Sequence, residues 1–215
     1  MSNIMQSVFS NIYRTNKWGS GESRSGAGST EHYTRGLRTN LPELINKFDI
    51  KTILDAPCGD FNWMKYIIPN LNVDYIGADV VPQLIWNNNK LYKSDNVNFM
   101  ILDITVDDLP NVDLMICRDC LFHFPNDEIH TFFKNFIKSD IKYIFTTTHY
   151  NGGPPCLAPF ENKDIQVGEY RHLDLFSEPF NLTEDVLYRT PDWVPPYNPR
   201  EMVVFSREQI IERYG

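Results

Sequence analysis

The sequence predicts an α/β fold built on a mostly parallel, seven-stranded sheet with helices on both faces. Short apolar runs alternate with amphipathic segments from residue 51 to residue 148, which is the pattern of βαβ units. The apolar runs are continuous rather than alternating, as expected for parallel strands that are covered on both faces. A chain of 215 residues is long enough for one well-buried core, so we expect a single domain over residues 1–215.

Five strands and three helices are predicted in the central part of the chain, residues 51–148. The lengths of the apolar runs and the 3.6-residue spacing of apolar side chains give their approximate bounds. The predicted strands are 51–55, 73–80, 97–102, 112–117 and 142–147, and the predicted helices are 61–68, 82–92 and 127–138.

Residues 1–50 precede this core as a helical and lid segment. An apolar stripe predicts a helix over 1–16, and a second helix is predicted over 42–48 with Asn40 as its cap. Between them lies KWGSGESRSGAGSTE, residues 17–31. This Gly- and Ser-rich composition is typical of a flexible linker, yet it also suits a lid that folds over a ligand.

Residues 149–215 form the last segment. A long loop insert is predicted after the fifth strand, over 150–182, and it begins with the run Gly152-Gly153-Pro154-Pro155. Apolar runs at 186–188 and 202–205 predict two more strands, which we expect to be antiparallel. Ser206 is the predicted cap of a final helix.

Composition excludes several classes of function. The formal net charge of −8 gives no general attraction for nucleic acid or an anionic membrane surface. No apolar run approaches the ~20 residues of a membrane span, and the N-terminus does not resemble a signal peptide. We therefore expect a cytoplasmic protein, whose four cysteines stay reduced. The single Cys117-x-x-Cys120 pair has too few ligands for structural zinc.

Polar residues follow all five predicted strands of the core. Ligands bind beyond the carboxyl ends of the strands in open α/β sheets, so residues at these ends are candidates for a binding site. Any one of them alone can be an ordinary turn residue, but five together indicate a site. They are Asp55, Asp79, Asp103, the pair Arg118-Asp119, and His149.

The segment LDAPCGD, residues 54–60, favours a cationic nucleoside over a phosphate. It lacks a glycine-rich phosphate loop, and its acidic residues repel phosphate. S-adenosylmethionine (SAM) carries a sulfonium and an ammonium group, which carboxylates attract. Gly59 lets the backbone approach such a ligand. Asp79 is placed to bind the ribose hydroxyls, Asp103 the adenine amino group, and Ile104 the face of the adenine ring.

The motifs LDAPCGDFNWM, YIGADVV, FMILDIT and DLMICRDCLFHFP resemble, in order and spacing, those of SAM-dependent methyltransferases with a Rossmann-like fold. NKWGSGESRSGAGS, TTTHY and RHLDLFSEPFNL are similar to segments of small methyltransferases of polysaccharide biosynthesis in bacteria and large viruses. The first resemblance implies that Asp55, Ala56 and Gly59 form the turn beneath the methionine part of SAM. It also implies that Arg118 and Asp119 line the pocket near the sulfonium. Pro57 and Cys58 stand where the family has further glycines, and this departure makes the turn stiffer.

Methylation of a sugar hydroxyl requires alignment of acceptor and methyl group, and a general base assists it. His149, Asp119 and His123 are the candidate catalytic residues. Asp119 and His123 are spaced i, i+4 and share a face if the segment is helical. Asp119 then orients His123, or binds a divalent cation that acidifies the hydroxyl. The remaining histidines, His32, His130 and His172, are predicted to be surface residues.

Further contacts are predicted in the two flanking segments. Trp18, Arg24 and Ser29 belong to the N-terminal lid and are expected to contact the cofactor, with Arg24 or Ser29 near the methionine carboxylate. Tyr170, Arg171 and Asp174 lie in the loop insert and are the candidates for binding the sugar or glycan acceptor.

Two alternatives to a sugar O-methyltransferase stay open. One is an O- or N-methyltransferase for a small non-sugar metabolite, which an acceptor screen distinguishes. The other is a non-catalytic module that binds SAM without turnover. A nicotinamide-dependent enzyme is disfavoured, because the chain lacks a glycine-rich pyrophosphate turn.

Overall fold

The computed structural model describes residues 4–152 and 158–215. It contains one seven-stranded sheet in the order β3-β2-β1-β4-β5-β7-β6. β1 is parallel to β2 and β4, β2 is parallel to β3, and β7 is antiparallel to both β5 and β6. This confirms the predicted mostly parallel sheet. The strands are β1 Thr52–Asp55, β2 Asp74–Asp79, β3 Val97–Ile101, β4 Leu114–Cys117, β5 Tyr143–His149, β6 Tyr188–Pro191 and β7 Arg200–Ser206.

Five α-helices accompany the sheet in the described residues: α1 Ile4–Thr15, α2 Arg35–Lys47, α3 Pro82–Tyr92, α4 Asn126–Phe136 and α5 Arg207–Tyr214. The chain forms two compact units. The first comprises the residues up to Asp103 together with Val112–Ile116, and the second comprises Ile104–Asn111 and Cys117–Gly215. A single functional domain over the whole chain stays a prediction.

Helix α2 corrects the predicted helix 42–48. It begins at Arg35, so Asn40 is an interior residue rather than a cap, and Pro42 lies inside the helix. The reason is the buried stripe formed by Leu37, Leu41, Leu44 and Ile45. Burial of an apolar face supplies most helix stability in proteins, and here it outweighs the unfavourable proline.

The predicted helix 61–68 is also wrong, because the chain there forms two short 3-10 turns, Met64–Tyr66 and Ile68–Asn70. Phe61 has a left-handed backbone, with φ of 57°, and its ring packs against Tyr75 and Phe99 at centroid distances of 5.3 and 5.1 Å. The buried ring therefore fixes a backbone conformation that an α-helix cannot begin from.

In the second unit, β5 and β7 pair over their full length, from Tyr143 opposite Ser206 to His149 opposite Arg200. Antiparallel pairing of the last strands agrees with the prediction. Ser206 caps α5 as predicted, in a capping box whose partner is Gln209.

The predicted loop 150–182 is only partly described, because Gly153, Pro154 and Pro155 lie outside the described residues. Its described residues form no helix or strand. Side-chain hydrogen bonds hold it instead: Asn162 Nδ2 donates to the carbonyls of Asp174 and Glu178, both at 2.7 Å. Among the described helices, none has the length and hydrophobicity that crossing a bilayer requires.

Candidate functional site

The turn after β1 lies where the strand order of the sheet reverses, between β1 and β4. The N–H of Ala56 donates to the carbonyl of Ile116 at 2.9 Å, and the N–H of Cys58 donates to that of Ala78 at 2.8 Å. The turn is therefore bonded to the strands on both sides of β1. This is the position at which open α/β sheets bind their ligands.

Asp79 lies at the carboxyl end of β2 and is 8% exposed. Its Oδ1 accepts from the N–H of Val81 at 3.0 Å, and its Oδ2 accepts from the N–H of Gly59 at 3.3 Å. Burial raises the pKa of Asp79 from 3.8 to about 6, and backbone hydrogen bonds from Val81, Gly59 and Val80 oppose this rise. A carboxylate has about four lone-pair positions, so Asp79 keeps accepting capacity for a ligand hydroxyl.

Asp55, Asp103 and Ile104, three other residues predicted to bind the cofactor, are all buried. Tyr75 donates its hydroxyl proton to Asp55 Oδ2 at 2.6 Å, which fixes the orientation of that carboxylate within the first unit. In the second unit, the carbonyl of Ile104 accepts from Asn135 Nδ2 at 3.0 Å. Their assignments to the methionine and adenine parts of SAM stay predictions.

The Ser/Gly-rich segment is bound to the turn rather than a flexible linker. Asp60 accepts from Ser23 Oγ at 2.9 Å and from the N–H of Arg24 at 2.8 Å, and its own N–H donates to Ser25 Oγ at 2.9 Å. Asn62 adds a hydrogen bond of 2.7 Å to Glu22. The bonds that Asp60 and Glu22 accept at their carboxylates are of the stronger, charge-assisted kind.

The three residues of the N-terminal lid that were predicted to contact the cofactor differ in burial and in their contacts. Trp18 is half-buried against the ring of Phe9, at 6.2 Å between centroids. Arg24 is exposed, and its Nη1 donates to the carbonyl of Tyr13 at 3.1 Å. Ser29 is half-buried and accepts at its carbonyl from Asn62 at 3.0 Å. Their contacts with a cofactor stay predictions.

Gly59 is required by the close approach of the N-terminal segment. Its φ is 54°, and a β-carbon there would overlap Ser25 Oγ. We expect Gly59→Ala to lower the free energy of unfolding by about 2 kcal/mol, from left-handed strain plus this overlap. Denaturant unfolding measures the loss. Gly21→Ala is the control, since its β-carbon meets nothing within 4 Å. An unchanged stability of Gly59→Ala would contradict the expectation.

The raised pKa of Asp79 predicts a pH-dependent stability. Below 3.8 the carboxyl is protonated in both the folded and the unfolded chain, whereas between 3.8 and about 6 it ionises only on unfolding. The folded state therefore loses stability as the pH rises through this window. Relative to Asp79→Asn, which does not titrate, the wild type should lose about 2 kcal/mol between pH 4 and pH 8. Unfolding curves of both proteins across this range test it, and parallel pH profiles would refute it.

Four charged side chains form a paired network in the second unit. Arg118 binds Asp192 through Nε at 2.8 Å and Nη2 at 3.0 Å, and Arg200 Nη2 binds Asp119 Oδ2 at 2.6 Å. Arg118 Nη1 also lies 3.4 Å from Asp119. Two arginines and two aspartates balance in charge, which makes their burial tolerable.

Asp119 does not share a helical face with His123, which corrects the predicted i, i+4 arrangement. Asp119 has a left-handed backbone, with φ of 52°, and His123 ends a 3-10 turn, Leu121–His123. Burial alone would raise the pKa of Asp119, but Arg118 and Arg200 hold it below its usual value. Asp119 is therefore an anion bound by arginines, which makes it a poor proton acceptor.

His123 and His149 have opposite tautomers, which the hydrogen bonds of their Nδ1 atoms determine. His123 Nδ1 lies 2.7 Å from the carbonyl of Glu169, which only accepts, so Nδ1 carries the proton and Nε2 the lone pair. His149 Nδ1 accepts from the N–H of Leu173 at 3.2 Å, so its Nε2 carries the proton. Burial and the charge of Arg200 lower the pKa of His149 to about 3. The two rings therefore differ in which nitrogen carries the proton, and the catalytic role of either histidine stays a prediction.

His149 lies within an aromatic cluster of the second unit. It stacks on His172 at 5.1 Å and packs edge-on against Phe122 at 5.3 Å and Tyr170 at 6.1 Å. His172 was predicted to lie on the surface, and this is wrong because its ring is half-buried by this stacking. His130 is half-buried too, against Phe180 and Tyr214.

The three predicted acceptor-binding residues differ in solvent exposure and in their hydrogen bonds. Tyr170 is 49% exposed. Arg171 is 7% exposed, and its Nη1 donates to the carbonyl of Lys163 at 2.8 Å. Among the described residues, Nε and Nη2 of Arg171 have no hydrogen-bond partner. Asp174 accepts from Asn151 at 2.9 Å and from the N–H of Phe176 at 2.9 Å, so it holds the loop together.

The divalent cation suggested for Asp119 gains no support from the geometry. The described residues contain no group of three or more His, Cys, Asp or Glu side chains placed to hold a metal ion. Asp119 Oδ2 is already bound by Arg200.

The strand order, with the antiparallel β7 inserted between β5 and β6, defines the Rossmann-like fold of the seven-stranded methyltransferase type. Solved structures with this fold are similar to the chain. They include a SAM-dependent methyltransferase of Leishmania major, at 15% identity and a TM-score of 0.69, covering 93% of this chain and 82% of that one.

Two further solved structures are similar over nearly their full length. One is magnesium protoporphyrin IX methyltransferase of Synechocystis with bound SAM, at 10% identity and a TM-score of 0.59, covering 96% of this chain and 98% of that one. The other is the 1,6-didemethyltoxoflavin N1-methyltransferase of Burkholderia thailandensis with bound S-adenosylhomocysteine (15%, 0.60, 94% and 86%). No protein-family model and no curated protein matches the chain. At these identities the similarity establishes the fold.

Sequence reasoning missed several residues of the site. Asp60 was quoted within its motif but given no role, and Asp192, Arg200 and Asn198 were not singled out. Asp192 and Arg200 lie 74 and 82 residues after Arg118, and nothing in local patterning signals such a pairing. For Asp60 the sequence did contain a signal. The glycine- and serine-rich segment also holds Glu22 and Arg24, which a simple spacer does not need.

Proposed function

We propose that the chain is a SAM-dependent methyltransferase that acts on a hydroxyl of a sugar in a glycan or glycan precursor. The observation that carries the SAM assignment is the buried Asp79, whose carboxylate keeps accepting capacity beside the Gly59 turn at the reversal of strand order. The similar structures with bound SAM or S-adenosylhomocysteine support the same cofactor. Both observations support the cofactor, whereas the exposed ring of Tyr170 supports the sugar acceptor.

In this proposal the first unit binds the cofactor. Asp79 accepts from the ribose hydroxyls, Asp55 attracts the ammonium group, and Gly59 lets the backbone approach the ligand. Bound SAM supplies an electrophilic methyl group. The acids that rim the turn suit a cationic ligand better than an anionic one.

The second unit supplies the acceptor chemistry. His123 Nε2 accepts the hydroxyl proton, while the carbonyl of Glu169 stabilises the imidazolium through Nδ1–H. His149 holds Tyr170 through Nε2–H, at 3.2 Å, and acts as a positioning residue. Exposed Tyr170 offers an aromatic face on which a sugar can stack.

The function is tested with methyl-labelled SAM and an acceptor panel of free sugars, nucleotide sugars and small phenols. Labelled product from sugars supports the proposal. Product from phenols alone would replace it with a small-metabolite methyltransferase. SAM binding without product from any acceptor would favour the non-catalytic module.

We also propose that the protein works in the cytoplasm. The structure has Cys58, Cys117 and Cys120 as buried thiols, with no disulfide among the described residues. Such thiols persist in a reducing compartment. Localisation of a tagged protein in its source cells tests this, and secretion would refute it.

A further inference from the structure

We infer that the Ser/Gly-rich segment, residues 17–31, is a gate beside the cofactor site, and that its hydrogen bonds to Asp60 and Asn62 set how fast the cofactor enters and leaves. This inference rests on the proposed function for the identity of the cofactor. It adds a kinetic role for residues that the proposed function leaves unused. All the residues that carry it belong to the first unit.

The first anchor of the gate is the carboxylate of Asp60. Ser23 Oγ lies 2.9 Å from Oδ1 and 3.0 Å from Oδ2 of Asp60, and the N–H of Arg24 donates to Oδ2 at 2.8 Å. Ser25 Oγ accepts from the N–H of Asp60 at 2.9 Å. Three consecutive residues of the segment thus bind one carboxylate-bearing residue. Hydrogen bonds to a charged acceptor are roughly twice as strong as neutral ones, so this anchor holds the segment firmly.

The second anchor is the side-chain amide of the buried Asn62. Its Nδ2 donates to Glu22 Oε1 at 2.7 Å and to the carbonyl of Ser29 at 3.0 Å. The same oxygen of Glu22 accepts from the N–H of Glu31 at 2.7 Å. The two anchors therefore hold the segment from residue 22 to residue 31.

The anchored segment lies directly against the Gly59 turn. A β-carbon at Gly59 would overlap Ser25 Oγ, so the two residues are in close contact. The N–H of Gly59 donates to Asp79 Oδ2 at 3.3 Å, and Asp79 is the acid assigned to the ribose. A cofactor that contacts the backbone of Gly59 and the carboxylate of Asp79 therefore enters and leaves next to the segment.

The backbone of the segment is suited to opening. Gly19 and Gly26 lie on either side of the residues that bind Asp60, and their φ angles of 68° and 96° are conformations that glycine adopts without strain. The segment contains a short 3-10 turn, Ala27–Ser29, and is otherwise irregular. Loops of this kind move about a few such positions when they open and close over a ligand.

The anchors join protein groups to one another, so they contribute equally to the free and the cofactor-bound protein. Weakening them favours opening by the same factor in both states. Association and dissociation of the cofactor then accelerate together, and Kd stays constant because the change does not distinguish the two states. A residue that shapes the binding site behaves differently, since its loss mainly accelerates dissociation and weakens Kd.

The experiment measures the association and dissociation rates of S-adenosylhomocysteine by surface plasmon resonance for the wild type, Ser23→Ala and Asn62→Ala. Both rates should rise roughly tenfold in Ser23→Ala, the effect of one hydrogen bond to a charged group, while Kd stays within about threefold. Asn62→Ala should show the same pattern, because it releases the second anchor. Ser94→Ala is the matched control. It removes an exposed hydroxyl bonded to Asn96 in the same unit and should leave both rates unchanged.

Faster dissociation at an unchanged association rate would overturn the inference, because the two residues would then shape the binding site. Unchanged rates in both variants would overturn it as well, and either result leaves cofactor binding standing. A wild type that binds neither SAM nor S-adenosylhomocysteine would instead remove the proposed function, and the gate with it.

Amide hydrogen exchange without any cofactor tests the anchors by themselves. Exchange at residues 20–31 should be faster in Ser23→Ala than in the wild type, because the segment opens more often. Strands β1 and β2 should exchange as in the wild type, which also shows that the variant is folded. Equal exchange at residues 20–31 in the two proteins would overturn the inference.

Discussion

Asp79→Ala is expected to weaken SAM binding by at least a hundredfold in isothermal titration. The carboxylate keeps accepting capacity beyond its bonds to Gly59 and Val81, and we assign it to the two ribose hydroxyls. Hydrogen bonds to a charged group contribute roughly 1.5–3 kcal/mol each, so the loss of two accounts for a factor of this size. The titration is run with SAM and with S-adenosylhomocysteine, because both share the ribose.

Asp74→Ala is the matched control for this variant. Asp74 begins the same strand, β2, but is exposed, so its loss removes the same charge from the protein without touching the turn. It should bind SAM as the wild type does. Circular dichroism checks that the Asp79 variant is folded, since the substitution also removes the acceptor of the N–H groups of Gly59 and Val81. Wild-type affinity in folded Asp79→Ala would contradict the ribose assignment. Equal losses in both variants would indicate a general electrostatic effect.

His123→Gln is expected to lower kcat by a factor of about 10² to 10⁴, with a smaller change in KM, because general-base catalysis contributes on this scale. Glutamine retains a polar side chain of similar length but takes up no proton at neutral pH. The variant is assayed with whichever acceptor the screen identifies. Its binding of SAM should be unchanged.

Two further histidine variants show whether this loss is specific. His130→Gln changes a histidine that packs on Phe180 and Tyr214, away from the Tyr170 cluster, and should leave kcat within a factor of about two. His149→Gln should lower stability and raise KM, because His149 supports Tyr170 and is not arranged as a base. A larger loss of kcat in His149→Gln than in His123→Gln would reverse the assigned roles.

The sequence by itself determined the order of the core strands, the helices 82–92 and 127–138, and the residues at the strand ends. Continuous apolar runs specify buried strands through local composition, which is why β1, β2 and β4 were found close to their actual positions. Asp55 and Asp79 end two of those runs, so the sequence identified them as candidate site residues. The sequence also showed that LDAPCGD lacks a glycine-rich phosphate loop, and this favoured a cationic ligand.

Only the tertiary structure decided which polar groups meet and what each then does. Arg118 pairs with Asp192, Asp60 binds the serines at 23 and 25, and Leu173 sets the proton of His149. These partners are separated by 24 to 74 residues, and contacts at such distances depend on how the elements pack rather than on local pattern. Asp119 and His123 illustrate the physical reason. Their spacing matched a helix, but the left-handed backbone at Asp119 and its capture by Arg200 gave the two side chains separate roles.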